Sequence, residues 1–280
     1  MPRTRPPCAQ HEPDARAGRD DEAGRSAHRA ALLLARRLTA LPTPAMRETV
    51  LLEWLETAAP ADAVRLLDRL TLDGRGQSEP AWASALITLA TALATDGRLP
   101  YPVRTDLYEA AREAGLDTVA RLFLSTTCPA ATASTRASSP APERALTPTG
   151  PPITLGQRKA LARGRRRDLL AQLACDADPQ VIRVLLDNPR LIERDVVAIA
   201  ARRPGQPAVL RVVFESRWLV RRSVMRALVM NPRTPTDLGV RLCAALSGHD
   251  LAKIAEDESL AEPVRAQARQ LALSTRRGDG

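Results

Sequence analysis

The triplet Asn-Pro-Arg occurs twice, at Asn188-Pro189-Arg190 and Asn231-Pro232-Arg233, 43 residues apart and in matching surroundings. Val181-Ile182-Arg183-Val184-Leu185-Leu186 precedes the first copy, and Val224-Met225-Arg226-Ala227-Leu228-Val229 precedes the second. A period near 43 residues in a helix-rich chain points to stacked helix pairs. Such a pair cannot bury its apolar face alone and must pile onto its neighbours.

The triplet has a local logic as a helix stop. Asn tolerates the left-handed position just beyond a helix C-terminus. Pro cannot continue a helix. Arg can reach the last carbonyls or the negative end of the helix dipole. After the second copy, Thr234-Pro235-Thr236-Asp237 reads as a restart, with Thr234 as cap and Pro235 as the first helical residue. The first copy has Leu191-Ile192-Glu193-Arg194 there, so the recurrence lies in the stop. The ordinary reading of Asn188, Pro189, Arg190, Asn231, Pro232 and Arg233 is a structural corner. The functional alternative puts Arg190 and Arg233 on one partner-binding ridge.

Composition narrows the fold class to all-α. Ala, Leu and Val dominate the apolar residues, and the 280-residue chain has only 3 Trp, 2 Tyr and 2 Phe. These are helix formers, and no long β-branched alternation competes with them. A tail, residues 1–24, lacks apolar periodicity and reads as disordered. Residues 25–125 read as a helical domain. Ala30, Leu33, Leu34, Leu38 and Leu41 form a first stripe, Val50, Leu51, Trp54 and Leu55 a second, and Val64, Leu66, Leu67 and Leu70 a third. Pro44, Pro60, Pro80 and Pro102 suit helix starts, and Gly115 a helix stop. Residues 126–153 are a Pro/Ala/Ser/Thr-rich linker with a reach of about 80 Å if extended. Residues 154–273 are the repeat region, and residues 274–280 a second disordered tail.

The repeat region resembles the HEAT-like and leucine-rich-repeat-variant helical repeats. The residues that carry the likeness are the Leu-x-x-Leu-Ala-x-Asp-x-Asp-Pro-x-Val-Ile-Arg stretch from Leu170 to Arg183 and its degenerate copies. It is similar too to uncharacterised bacterial proteins with Asn-Pro-x repeat tails. The likeness covers roughly residues 154–273. It implies a short α-solenoid whose job is to present a surface.

Charge singles out the same region. Residues 1–153 hold 18 basic and 18 acidic residues, whereas residues 154–280 hold 23 basic and 14 acidic, so the whole net charge of +9 falls there. Such asymmetry points to an anionic partner. The candidate contacts are Arg158, Lys159, Arg163, Arg165, Arg166 and Arg167, with Arg202, Arg203, Arg221 and Arg222 as extensions. The competing reading is a solvated surface in an Arg-biased chain, since Arg outnumbers Lys by 39 to 2.

Nothing in the sequence calls for catalysis or a cofactor. Cys8, Cys128, Cys175 and Cys243 are too scattered for a zinc or redox motif. Cys175 and Cys243 read as small core residues, and thiols so placed suit a reducing cytoplasm. His11, His28 and His249 have no triad or metal spacing, and His249-Asp250 reads as a capping turn. Glu53 and Glu56 lie on a solvated helix face. No signal peptide or membrane span is expected.

The leading expectation is a non-enzymatic scaffold or adaptor that binds a protein, acidic in character, through a basic solenoid surface. Backbone-directed nucleic-acid binding by the same residues is the alternative. A base-excising HEAT-like glycosylase, with Trp218 and Asp176 or Asp178 in its groove, is a remote third.

Overall fold

A computed structural model describes residues 14–73, 80–94, 98–124 and 153–278. All regular structure among them is helical, so the chain is all-α. The linker expected over 126–153, apart from Ile153, lies outside the described residues, as do residues 1–13 of the expected tail. The first helix takes in the rest of that tail, and the last helix continues to Gly278.

The N-terminal half is a bundle of α1 (Asp14–Ala40), α2 (Pro44–Thr57), α3 (Pro60–Asp73), α4 (Pro80–Ala94), α5 (Tyr101–Glu113) and the short α6 (Asp117–Ala120). A 3₁₀ turn, Arg121–Phe123, follows. Proline begins three of these helices, where its missing N–H is no loss. The Thr43 hydroxyl caps α2 by accepting from the Met46 N–H at 3.3 Å.

Gly115 ends α5 in the left-handed region, at φ 70°. Its N–H donates to the Arg112 carbonyl at 3.1 Å, and the Leu116 N–H donates to the Ala111 carbonyl at 2.8 Å. Only glycine takes that conformation without steric cost, and the two bonds satisfy carbonyls that the helix end would leave bare.

The bundle buries Leu38, Leu51, Leu55, Leu67, Leu70, Trp82, Leu86 and Leu107. In α1 the buried stripe is Ala31, Leu34, Ala35 and Leu38, while Ala30 and Leu33 face out. The expected stripe was thus displaced by part of a turn. Its 3.6-residue period fits either face, and packing against α3 and α4 selects one.

The C-terminal half is a series of three-helix units. Unit one is α7 (Leu155–Ala162), α8 (Arg167–Leu173) and α9 (Pro179–Leu186). Unit two is α10 (Glu193–Ala201), α11 (Pro207–Phe214) and α12 (Arg222–Val229), with a 3₁₀ turn, Arg217–Val220, before α12. Unit three is α13 (Thr236–Cys243), α14 (Gly248–Glu256) and α15 (Glu262–Gly278). The 43-residue period therefore holds three short helices rather than a pair. In each unit the first and third helices pack side by side. Leu170, Val181, Ile182, Leu185, Val196, Leu210, Phe214, Val224, Leu228, Leu242, Leu251 and Ile254 lie in one continuous core, the arrangement that stacked units require.

The two halves share an interface. Helix α13 packs against α4 and the Arg121–Phe123 turn, and α15 packs against α3 and α6. Arg241, only 2% exposed, crosses it. Its Nε and Nη2 donate to the carbonyls of Leu122 and Leu124, each at 3.1 Å, while Nη1 pairs with Asp237 at 3.1 Å. The buried Gln267 donates to the Thr118 carbonyl at 3.0 Å and accepts from Arg121 at 3.1 Å.

Candidate interaction surface

The two Asn-Pro-Arg corners are superposable in their bonding, and not in the way their sequence suggests. No residue other than glycine has positive φ among the described residues, so neither Asn is left-handed. Both are buried instead, Asn188 at 5% and Asn231 at 2% exposure. The Asn188 amide donates to the carbonyls of Ala162 at 2.7 Å and Gly164 at 2.9 Å, and its Oδ1 accepts from the Arg190 N–H at 2.8 Å. The Asn231 amide donates to Ala200 at 2.7 Å and Arg202 at 3.0 Å, and its Oδ1 accepts from the Arg233 N–H at 3.0 Å. Each Asn thus ties the end of the third helix of its unit to the bare C-terminal carbonyls of the first. A buried carbonyl left without a donor would cost about 1–3 kcal/mol, which is why an amide is needed there.

Glycine makes room for these ties. A Cβ on Gly205 would lie 3.0 Å from the Asn231 amide nitrogen and 3.1 Å from the Arg202 carbonyl oxygen. A Cβ on Gly164 would lie 2.9 Å from the Leu161 carbonyl oxygen. A glycine in the first loop of the unit, upstream of each Asn, was the available sequence signal for this arrangement. Thr234, expected to cap α13, has its hydroxyl donating to the Leu228 carbonyl at 2.6 Å, so it closes α12 instead.

The arginines divide into those that hold the fold and those that face solvent alone. Arg183 and Arg226, the arginines within the two matching helices, each reach the next unit, at Glu215 (2.7 Å) and Asp250 (3.3 Å). Arg167 and Arg211 do the same toward Asp195 (2.7 Å) and Asp237 (3.9 Å). Several of the candidate binding residues are occupied in this way. Arg158 pairs with the nearly buried Asp176 at 2.6 Å, and Lys159 donates to Gln180. Arg202 donates to the Cys175 carbonyl, and Arg203 to the Met230 carbonyl at 2.6 Å, so both close helix ends. Arg166 is hydrogen-bonded to its neighbour Asp168 and holds that carboxyl below its usual range. Arg221 lies 3.7 Å from Glu193.

Arg163, Arg165 and Arg222 remain, joined by Arg190, Arg194 and Arg233. Among the described residues these six exposed guanidinium groups make no hydrogen bond or ion pair. Five of them follow one path over units one and two. Arg163 and Arg165 flank Gly164, whose carbonyl holds Asn188, and Arg190 is two residues further on. Arg194 sits in the first turn of α10, beside the Asp195 that Arg167 ties to the same corner. Glu193 then links to the start of α12 through Ser223 and Arg221, next to Arg222. Asp187 is the exposed acid without a partner on this path, and it lines a depression of about 240 Å³ with Arg163, Val184, Asn188 and Pro189. The remaining acids, Asp168, Glu193 and Asp195, are paired.

The other chemically suggestive residues are engaged structurally. Trp218 Nε1 donates to the Leu186 carbonyl at 2.9 Å, and the Arg217 guanidinium sits 5.1 Å over the indole. Asp178 caps α9 through the Gln180 N–H at 2.8 Å. Ser247 caps α14, the helix that contains His249. Cys243 is buried as expected, whereas Cys175 is exposed, just past the end of α8 where the apolar face has already run out. Among the described residues no cluster of His, Cys, Asp and Glu could hold a metal ion, and no helix is long and apolar enough to cross a membrane. Compared with known protein families, with curated proteins and with solved structures, the chain matches none.

Proposed function

We propose that this chain is a non-enzymatic interaction protein, a scaffold or adaptor of the HEAT-like kind, that holds an acidic partner protein on units one and two. The supporting observation is the run of Arg163, Arg165, Arg190, Arg194 and Arg222, exposed at helix ends and in the loops beside them and, among the described residues, without partners of their own. A guanidinium left unpaired keeps its full fork of donors for a carboxylate. The Asn corners fix the backbone beneath it, so the groups are presented from rigid ground.

The same arginines would suit a phosphate backbone, which makes nucleic-acid binding the second reading. The test uses the full chain as bait in the cells that encode it, beside the double variant Arg165→Glu/Arg190→Glu. The proposal expects an acidic protein recovered with the unaltered chain and lost with the variant, in the presence of nuclease. A recovery that nuclease abolishes favours nucleic acid. Recovery of no protein that depends on these arginines sinks the scaffold reading.

A further inference from the structure

The arginine path ends beside two apolar side chains that the fold leaves uncovered. Ile192, at the start of α10, is 49% exposed, and Val220, just before α12, is 62% exposed. The two helix starts are held side by side, since the Glu193 carboxylate accepts from the Ser223 hydroxyl and pairs with Arg221. Ile192 and Val220 thus each adjoin this pair of neighbouring helix starts, which also carry the exposed Arg194 and Arg222. Single exposed apolar residues need no explanation, but a β-branched pair framed by unpaired cations is a defined chemistry.

We propose that this patch docks an acidic peptide segment of the partner protein, one with a bulky aliphatic side chain between its carboxylates. The aliphatic group covers Ile192 and Val220, and the flanking carboxylates meet Arg194 and Arg222. Charge complementarity selects the acidic segment, and the apolar floor selects protein over nucleic acid. A phosphate backbone offers nothing apolar to that floor, and Trp218, whose indole could stack on a base, is already overlaid by Arg217. This inference rests on the reading of the arginine face as protein-binding.

The experiment uses the full chain and three labelled probes at moderate salt: an alternating Glu/Leu peptide, its Glu/Ser counterpart of equal charge, and a 20-base-pair duplex. The unaltered chain should bind the Glu/Leu peptide most tightly. Ile192→Ser/Val220→Ser should weaken that binding about tenfold, the loss expected from two half-covered aliphatic side chains, and leave the Glu/Ser peptide unaffected. Arg194→Glu/Arg222→Glu should weaken both peptides. Both variants change exposed positions, and matched unfolding curves establish that they fold.

Equal binding of the two peptides, indifferent to Ile192→Ser/Val220→Ser, overturns the apolar floor while leaving an acidic partner in place. Tighter binding of the duplex, insensitive to the same variant, overturns the choice of protein. Failure of all three probes overturns this inference and the arginine-face reading together.

Discussion

Replacing Arg241 by Met keeps most of the side chain's length and removes its charge and five donors. The residue is 2% exposed, and its bonds include one to Asp237 and two to carbonyls of the N-terminal bundle. Asp237 is itself nearly buried, its Oδ1 has no donor, and its other cation, Arg211, stands 3.9 Å away. Breaking a buried pair from one side typically costs about 3–5 kcal/mol, because the abandoned charge stays in the interior. The two carbonyls would each add about 1 kcal/mol if they stayed dry, but water entering the loosened junction recovers part of that.

We therefore expect about 4 kcal/mol, a large share of the roughly 5–15 kcal/mol available to a folded chain. Urea unfolding of the full chain, followed by circular dichroism, measures it. Asp237→Asn/Arg241→Met should lose less than Arg241→Met alone, since no charge is then left behind. A loss under about 1 kcal/mol for the single variant, or a double variant that is worse than it, would refute the account of the junction.

Three further outcomes follow from the corners and the turns. Asn188→Ala and Asn231→Ala should each cost about 2–4 kcal/mol in the same assay, and Asn231→Asp should cost more than Asn231→Ala, because a carboxylate would then face the carbonyls of Ala200 and Arg202. Gly205→Ala should cost about 1–3 kcal/mol, since backbone and the Asn231 amide block its Cβ, whereas Gly156→Ala, whose nearest neighbour stands 4.0 Å off, should be neutral or stabilising by up to about 1 kcal/mol. The Ser259 hydroxyl, donating to Asp257, lowers that carboxyl's pKa below its usual range, so its contribution is complete above the unfolded value near 4 and is lost as pH falls through the folded one. The advantage of the unaltered chain over Asp257→Asn in thermal unfolding should accordingly shrink between about pH 5 and pH 2, and an advantage constant over that range would contradict the assignment.

Helix content and several helix starts were readable because their causes are local. Proline in the first turn of α2, α3, α4 and α5 acts through its own ring, and Gly115 acts through its missing Cβ. The Asn-Pro-Arg spacing carried the repeat for the same reason. The role of its Asn was misread because the deciding partners, the carbonyls of Ala162 and Ala200, lie 26 and 31 residues away. Position in sequence could not separate Arg202 and Arg203, which close helices, from Arg163 and Arg165, which face solvent. That distinction depends on which carbonyls the stacking brings within reach. The docking of the bundle on unit three was beyond any local pattern, since Arg241 meets Leu122 across 119 residues.

That docking sets a direction for the array. A terminal unit ordinarily needs a polar outer face. Here Arg241 of α13 and Ala244 just beyond it are buried against the bundle, which covers that side of unit three. That covered side leaves the junction upstream of unit three as the place where another 43-residue unit meets uncovered repeat surface. A duplicate of residues 191–233 inserted after Arg233 would extend the arginine path and carry a second copy of Ile192 and Val220, while leaving the covered side untouched.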